Sequence, residues 1–426
     1  MQAITDLELP YLPMDEASFA ENPWPHFASA RAAHPWLATC PFGFVIHQYD
    51  AMRDLLCMDR NMRGAYESVV EIMEARGTPW GRFQLESLLA QNGESHQRIR
   101  RVLAPAFTPQ QANRHRELMA RTIRKLLDEW APKAAFDFED FAAMFPISVF
   151  CGLVGAPPEV IPGIRSSLET FGLSMSMDKA MLPQLLTATE TLDAFVQDLT
   201  AERRKHPHPP GEQDLLDVLV KTRDDDGLSD RELYDLLIFL FVAGYDTSKN
   251  ALTLLMNLLI ERPDLYRRCA EDIGFCRKVV EESFRHLTTS TIPRLVTKGF
   301  EYRGVEIPEG TLLFFPVSIS GRDPTAIADP EAFDPERDNT GKKHIAFGQG
   351  VHICLGQFIA RAQIEEGLHQ IAQRMHNPRR TGPSAWRPFF GVWGLKGLPF
   401  AHDPAEALED AKPPRLQGGN SCPLIR

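Results

Sequence analysis

The sequence lacks several features that would place it in other classes of protein. Its seven cysteines are odd in number, widely spaced and include no Cys-x-x-Cys pair. They therefore indicate no disulfide framework, zinc site or iron–sulfur cluster. The N-terminus carries no apolar run long enough for a signal peptide or a membrane anchor. From these absences we expect a soluble protein of the reducing cytoplasm.

Basic charge and nucleotide-binding glycines are also scarce. The chain has 46 Lys and Arg against 57 Asp and Glu, a net charge of −11, which argues against a general nucleic-acid binder. No Gly-x-Gly-x-x-Gly follows a predicted strand, so no flavin or nicotinamide site is indicated. No repeat, low-complexity tract or interdomain linker is visible. We expect one domain over residues 1–404 and a mobile tail over 405–426.

Apolar periodicity predicts a mainly α-helical chain with a smaller β region. A helical pattern runs from Ser95 to Trp130 with a break before Pro109, a residue that suits the first turn of a second helix. The alternating stretch that begins at Arg294 predicts strands, and 61–92 reads as a long, partly helical loop. Further helices are predicted over 138–154, 159–174, 180–205, 214–222 and 275–287.

The longest predicted helix follows Ser229, whose side chain and that of Glu232 form a capping-box pattern. Nearly thirty largely apolar residues follow, and Pro263 closes the run. That length would also fit a membrane span. The internal Asp246, Lys249 and Asn250 instead favour a helix buried in a large helical domain.

A glycine-framed cysteine is the most informative local pattern. In "FGQGVHICLG", residues 347–356, the glycines permit close turns around Cys354 just before a predicted helix. Backbone amides and a helix N-terminus stabilise a thiolate, the form in which cysteine binds metals. For a cysteine taken by itself, a buried structural role is the alternative.

The wider segment "HIAFGQGVHICLGQFIAR" resembles the haem-binding signature of the cytochrome P450 family. The positions that match are Phe347, Gly348, Gly350, His352, Cys354, Gly356 and Ala360. Other segments match in order over roughly residues 20–402. The resemblance implies a cytochrome P450-type fold, in which a long central helix crosses a haem b whose iron is bound by the thiolate of Cys354.

Two further patterns gain a meaning from this resemblance. Glu282 and Arg285 are three residues apart on a predicted helix, close enough to pair, and resemble the family's Glu-x-x-Arg element, which with Arg337 would lock the segment leading to the cysteine loop. An ordinary exposed ion pair is the alternative. For the haem propionates, the resemblance implies His96, Arg100, Arg294 and His352. The sequence "QNGES" before His96 departs from the acidic, proline-containing pattern that is frequent there in the family.

The middle of the long helix contains "AGYDTS", where a buried acid is costly unless it is paired or functional. Gly244 lets the helix open or a ligand approach closely. The pattern resembles the family's oxygen-activation site, with Thr247 bonding dioxygen or a water and Asp246 relaying protons. A threonine that only bonds the carbonyl four residues earlier is the alternative.

The resemblance predicts a monomeric monooxygenase that uses O2 and two electrons to hydroxylate an apolar small molecule. Because the chain lacks a flavin or cluster site, a ferredoxin-type donor and its reductase are expected to supply the electrons. The docking surface for this donor is predicted from local basic charge. Between His96 and Lys125 there are eight basic residues and one acid, and Lys342 and Lys343 are expected to lie on the same surface. A peroxide-driven haem peroxygenase, a non-enzymatic haem sensor or carrier, and a helical binding protein without haem stay as alternatives.

Substrate-facing segments are implied only by the resemblance, and core packing would explain the same apolar residues. Their Met, Phe and Trp content suits an apolar ligand, with a terpenoid, steroid or aromatic compound weakly favoured. The residues expected to face the substrate are Phe239, Leu240, Ala243, Thr289, Ser290, Ile292, Val392 and Trp393.

Overall fold

Helices form the larger part of the molecule. A computed structural model describes residues 2–209, 211–224, 227–338 and 343–404; the predicted tail, Cys422 and Lys342 lie outside them. The helices are α1 (Ala17–Glu21), α2 (Trp24–Ala33), α3 (Tyr49–Leu55), α4 (Tyr66–Ile72), α5 (Pro79–Glu86), α6 (Gly93–Leu103), α7 (Pro109–Arg114), α8 (Arg116–Trp130), α9 (Phe138–Val154), α10 (Ile161–Gly172), α11 (Leu182–Lys205), α12 (Leu215–Asp224), α13 (Asp230–Ile260), α14 (Pro263–Glu271), α15 (Ile273–His286) and α16 (Gln357–Arg374).

The smaller β region consists of short strands. They are β1 (Gln2–Ala3), β2 (Leu37–Cys40), β3 (Gly43–Ile46), β4 (Met62–Gly64), β5 (Ala135–Asp137), β6 (Thr291–Val296), β7 (Phe300–Tyr302), β8 (Val305–Ile307), β9 (Leu312–Pro316), β10 (Met375–Arg380), β11 (Ala385–Trp386), β12 (Leu395–Lys396) and β13 (Pro399–Pro404). The largest sheet has the order β2-β3-β9-β6-β4, and smaller sheets have the orders β1-β8-β7, β10-β13-β5 and β11-β12.

Local sequence signals explain where the long helix α13 begins and ends. Ser229 accepts from the backbone N–H of Glu232, and the Glu232 carboxylate accepts from the backbone N–H of Ser229, so the predicted capping box is present. The helix stops at Ile260, and Pro263 opens α14. The 31 residues of α13 are mostly buried and cross the molecule beside α9. They therefore form the structural centre, as expected.

The sequence predicted most helices to within a few residues. The break at Pro109 is present, since α7 begins at that residue after the helix α6 and a short 3₁₀ turn. The segment 61–92 is partly helical, as expected, but it also contributes β4 to the largest sheet, where Gly64 pairs with Arg294. No helix within the described ranges is long and apolar enough to cross a membrane.

Candidate functional site

The cysteine loop is held in shape by its own backbone. The N–H of Cys354 donates to the carbonyl of Phe347 at 2.8 Å. Gly350 has a φ of +74°, and a Cβ there would lie 2.6 Å from the carbonyl oxygen of Leu56. A side chain would therefore meet both backbone strain and a clash, which explains the glycine.

The Cys354 side chain is exposed to solvent, yet protein groups surround the sulfur closely enough to affect its ionisation. Desolvation raises the pKa of the thiol above its ordinary value, while the backbone N–H of Gly356 and the charges of Arg100 and Arg361 oppose that rise. These groups favour the thiolate and surround it from three parts of the chain. A metal ion such as iron bound to the sulfur would further stabilise the thiolate, because metals bind the deprotonated form.

Phe347 and Arg361 cover one side of the loop. The guanidinium of Arg361 stacks 4.3 Å from the ring centre of Phe347, and its Nε donates to Glu281 at 2.8 Å. The other oxygen of Glu281 lies 2.9 Å from Nε2 of His344. His344 and Arg361 flank the loop on both sides, so this carboxylate connects its beginning to α16. The pKa of Glu281 is about 2 because these two partners outweigh desolvation.

The four basic residues expected at the propionates lie together. The rings of His96 and His352 are 4.3 Å apart, and both Nη atoms of Arg100 donate at 2.9 Å to the carbonyl of Ile353. Arg294 is buried and donates to the carbonyl of Pro293. Within the described residues, none of the four forms an ion pair with a carboxylate.

This basic cluster has no carboxylate within ion-pair distance among the described residues, although the charge of Asp59 acts on His96 and Arg294. Burial, with repulsion from Arg294, His96 and Arg100, lowers the pKa of His352 to about 3. Burial also lowers the pKa of Arg294 and of Arg100. Asp59 is a nearby acid, and its Oδ2 accepts from the N–H of Val351 at 3.3 Å. A buried guanidinium such as that of Arg294 is unfavourable without an anionic partner, so Arg294 and Arg100, with the two histidine rings as hydrogen-bonding groups, fit a dianionic ligand beside an accessible cysteine. Haem is such a group.

Glu282 and Arg285 are buried and form a two-point ion pair, with N–O distances of 2.8 and 2.7 Å. Arg285 also donates to the carbonyls of Gly321, Pro330 and Ala332. Arg337 lies 3.5 Å from Glu282 and donates to the carbonyls of Asp329 and Ala332. The three side chains therefore join α15 to the segment 321–337, which precedes the cysteine loop.

Thr247 lies on a half-exposed face of α13. Its hydroxyl donates to the carbonyl of Ala243 at 3.0 Å, the bond considered as an alternative reading of the sequence. Phe239, Ala243 and Thr247 are four residues apart, and each retains exposure in a helix that is otherwise mostly buried. This face of α13 is therefore accessible to solvent, unlike most of the helix.

Asp246 lies away from that face. It is 1% exposed, and its Oδ1 accepts from Nη1 of Arg387 at 2.6 Å and from Nδ2 of Asn250 at 3.2 Å. No hydrogen bond among the described residues joins Asp246 to Thr247. Burial alone would lower the pKa of Arg387, but the Asp246 carboxylate raises it above its ordinary value.

Gly244 also allows close helix packing. A Cβ at this residue would lie 2.8 Å from the ring of Phe150 in α9. The absence of a side chain therefore lets α13 and α9 approach each other here, and the expected role of Gly244 at a ligand stays a prediction.

The residues expected to face the substrate divide into two groups. Ile292 borders the cysteine loop, since its Cδ1 lies 3.4 Å from a Cβ built at Gly348. Ser290 and Val392 form a β-bridge with each other, and all three residues are partly exposed. By contrast, Trp393 is 1% exposed and donates from its indole to the carbonyl of Ala20. Leu240 and Thr289 are also buried. Leu240, Thr289 and Trp393 are thus packed in the core, and their contact with a substrate stays a prediction.

The comparisons with known proteins agree with this geometry. The cytochrome P450 family model matches residues 167–376. Luteothin monooxygenase of Streptomyces thioluteus is 31% identical over 398 residues, covering 92% of this chain and 96% of that protein. Mycinamicin IV hydroxylase/epoxidase of Micromonospora griseorubida is 30% identical, covering 79% and 83%. A myxobacterial cytochrome P450 solved with myristic acid has a TM-score of 0.83 at 24% identity, covering 92% and 98%.

Fold and similarity together define a haem-thiolate class of oxidoreductase. The chain belongs to the cytochrome P450 family, and it is a monooxygenase of that family.

Sequence reasoning missed the partner of Asp246. Arg387 lies 141 residues away along the chain, outside every motif that the sequence displays. The only local signal was the buried acid itself, which required a cation from somewhere. Lys249, three residues later, was visible, but its Nζ lies 3.7 Å from Asp246 and only 2.7 Å from Glu139.

Proposed function

We propose that this chain binds haem b with Cys354 as the iron ligand and hydroxylates a largely apolar small molecule with O2. The observation that carries the proposal is the accessible Cys354 beside four basic residues that have no ion-pair partner among the described residues: His96, Arg100, Arg294 and His352. When bound, the haem supplies dioxygen activation, which cysteine ligation favours. The chain's own residues hold the propionates, shield the sulfur with Phe347 and bring protons.

Asp246 and Thr247 are proposed to handle those protons. The Thr247 hydroxyl lies at the open face of α13, where it can hold a water or the oxygen being reduced. Asp246 is the adjacent acid, buried among charged groups rather than apolar ones. A peroxide-driven enzyme would not need this pair, so its presence favours O2 over peroxide as the oxidant. A haem carrier would not need it either.

The substrate class is proposed from the expected substrate-facing residues that are partly exposed. Phe239, Ala243, Ile292 and Val392 are apolar, and Ser290 offers one hydroxyl beside them. A terpenoid, steroid or aromatic compound would suit such a lining. A relative named 2-hydroxy-5-methyl-1-naphthoate 7-hydroxylase, 30% identical to this chain, supports an aromatic substrate.

Electrons are proposed to come from a ferredoxin and its reductase at the cysteine-loop surface. Val351 and Phe358 are 44% and 37% exposed there, and both flank Cys354 in sequence. The basic residues that stay exposed nearby include Arg101, Arg114 and Lys343. Arg98 and Arg116 are less available than expected, because Arg98 pairs with Glu232 and Arg116 with Glu365 and Glu366.

The test of this function compares Thr247→Ala with Thr253→Ala. Thr253 is a matched control on the same helix, since its hydroxyl also donates to the carbonyl four residues earlier, at 2.9 Å. The assay uses a plant-type ferredoxin with its reductase, and the compound that most shifts the haem spectrum among fatty acids, steroids and naphthoates. Thr247→Ala should bind haem and consume NADPH but release peroxide in place of product. Equal product yield per NADPH in both variants would contradict the proton role.

A further inference from the structure

Tyr66 lies beside the basic cluster, although no sequence motif marks it. It is the first residue of α4 and stands two residues after Gly64, which ends β4 and pairs with Arg294 of the antiparallel strand β6. Directly paired residues of antiparallel strands carry their side chains on the same face of the sheet. The side chain of Arg294 therefore stands on the face toward which a side chain at 64 would point.

The missing side chain at Gly64 makes room for the Tyr66 ring on that face. A Cβ at Gly64 would lie 2.7 Å from Cε2 and 2.8 Å from Cδ2 of Tyr66. The ring thus folds back over Gly64, next to Arg294. The two side chains act on each other accordingly. Burial raises the pKa of Tyr66 to about 12 and lowers the pKa of Arg294, and each group opposes the shift in the other.

The same face of β6 leads to the cysteine loop. Ile292 stands two residues before Arg294 on the strand, so both side chains point to one side of the sheet. Cδ1 of Ile292 lies 3.4 Å from a Cβ built at Gly348, a residue of the loop. Tyr66 and Arg294 therefore lie on the sheet face that the cysteine loop meets.

The Tyr66 hydroxyl has no hydrogen-bond partner among the described residues, and its pKa responds only to burial and to Arg294. Tyr66 is 8% exposed and Arg294 6% exposed. Within the same part of the chain, Arg294 donates only to the carbonyl of its neighbour Pro293, at 3.2 Å. Asp59 acts on the pKa of Arg294 but not on that of Tyr66. Because a buried phenol O–H ordinarily finds an acceptor, these two adjacent donors fit one carboxylate.

We propose that the Tyr66 hydroxyl donates a hydrogen bond to a haem propionate, the same carboxylate that Arg294 holds. The inference rests on the proposed haem binding and adds a neutral donor to the four basic residues. Because the pKa of Tyr66 is about 12, the phenol keeps its proton at neutral pH and donates it to the anionic oxygen. The hydroxyl therefore favours a porphyrin that carries carboxylates over one that does not.

The test measures how fast the haem-loaded protein loses haem to an excess of apomyoglobin. Phenylalanine at 66 keeps the ring over Gly64 and removes only the hydroxyl, so Tyr66→Phe should lose haem roughly ten- to a hundredfold faster than the wild type. Tyr302→Phe is the matched control. Burial also raises the pKa of Tyr302 to about 12, but its hydroxyl already donates to Asp54 at 3.0 Å, so its rate should equal that of the wild type. Equal rates in all three proteins would overturn the proposal.

A porphyrin without carboxylates separates this contact from a general loosening of the site. The wild type and Tyr66→Phe are each loaded with iron etioporphyrin, which has no propionates, and the same transfer is followed. The two proteins should lose this porphyrin at one rate. If Tyr66→Phe speeds its loss as much as it speeds the loss of haem, the hydroxyl does not act on a propionate and the proposal is wrong.

A crystal structure of the haem-loaded wild type supplies a readout that needs no variant. The Tyr66 oxygen should lie within about 3 Å of a propionate oxygen, and a hydroxyl bonded to Asp59 or to a water alone would contradict the contact. The carbon monoxide spectrum tests the proposed function separately. If the thiolate band is absent while Tyr66→Phe still speeds haem loss, the iron ligand is wrong and the Tyr66 contact stands. If the band is present and Tyr66→Phe loses haem at the wild-type rate, only the Tyr66 contact fails.

Discussion

Arg100 is hydrogen-bonded to the cysteine loop at the carbonyl of Ile353, the residue immediately before Cys354. Both Nη atoms donate to that oxygen at 2.9 Å, across 253 residues of sequence. The same guanidinium stands among His96, His352 and Arg294 without an ion-pair partner among the described residues. One side chain thus connects the loop that presents the sulfur with the basic cluster that fits two propionates.

Arg100→Met is therefore expected to weaken haem binding more than Arg101→Met does. Loss of a charge-assisted hydrogen bond costs about 1.5–3 kcal/mol, which corresponds to roughly ten- to a hundredfold in affinity. Titration of the haem-free protein with hemin measures the change. Arg101→Met is the control, since Arg101 is exposed on the same helix. Equal hemin affinity in both variants would show that Arg100 does not contribute to haem binding.

Electron transfer should depend on charge at the cysteine-loop surface. Arg114→Glu and Lys343→Glu should each slow reduction by a plant-type ferredoxin several-fold at low salt, because steering of an acidic partner requires these charges. The Debye length is about 10 Å at 0.1 M and about 3 Å at 1 M, so the difference should vanish at high salt. Lys396→Glu, on β12, is the control. Stopped-flow rates indifferent to salt and to both substitutions would contradict this docking surface.

The face of α13 at Ala243 should limit the size of a ligand over the haem. In Ala243→Phe, binding of 4-phenylimidazole should weaken at least tenfold, while the smaller imidazole should bind as before. The physical reason is volume: the added ring fills the space beside Phe239 and Thr247 that the half-exposed face borders. Optical titrations measure both affinities. Parallel weakening of the two azoles would indicate a general distortion rather than a blocked pocket.

Stability should fall in acid partly through His47. Its side chain is fully buried, and within the described part of the chain neither ring nitrogen makes a hydrogen bond of good geometry. Desolvation, with repulsion from Arg31, lowers its pKa from 6.5 to about 4. Above pH 6.5 both folded and unfolded chains hold it neutral. Between pH 6.5 and 4 only the unfolded chain takes up the proton, so folding loses about 1.4 kcal/mol per pH unit, about 3 kcal/mol in all.

Urea unfolding of wild type and His47→Leu at pH 7 and 4.5 measures this contribution. The free energy of unfolding should drop more steeply with acid in the wild type than in His47→Leu. Identical slopes would show that His47 does not carry the effect.

The sequence predicted elements and motifs well where the cause is local. The helix α13 follows from its capping box and its apolar run, and the pair of Glu282 with Arg285 follows from helical spacing. What depends on distant chain segments was not readable. The burial of Trp393 depends on Ala20 and on the stacked ring of Trp386. Likewise, Gly244 packs against Phe150 in α9, and Asp246 pairs with Arg387.

These contacts could not be predicted for one physical reason. A buried acid or a helix glycine indicates that another group packs against it, but tertiary packing decides which residue that is. For the same reason, the four basic residues of the propionate cluster could be chosen only through the family resemblance. Their proximity to one another is a property of the folded chain.

The central claim is that Cys354, as a thiolate, binds haem iron. Its most direct test is the absorption spectrum of the haem-loaded, reduced protein under carbon monoxide, recorded for the wild type and Cys354→Ser. The account predicts the strongly red-shifted band of a thiolate-bound haem in the wild type and its loss in Cys354→Ser. A wild-type spectrum without that band, or a Cys354→Ser spectrum that keeps it, would contradict the account.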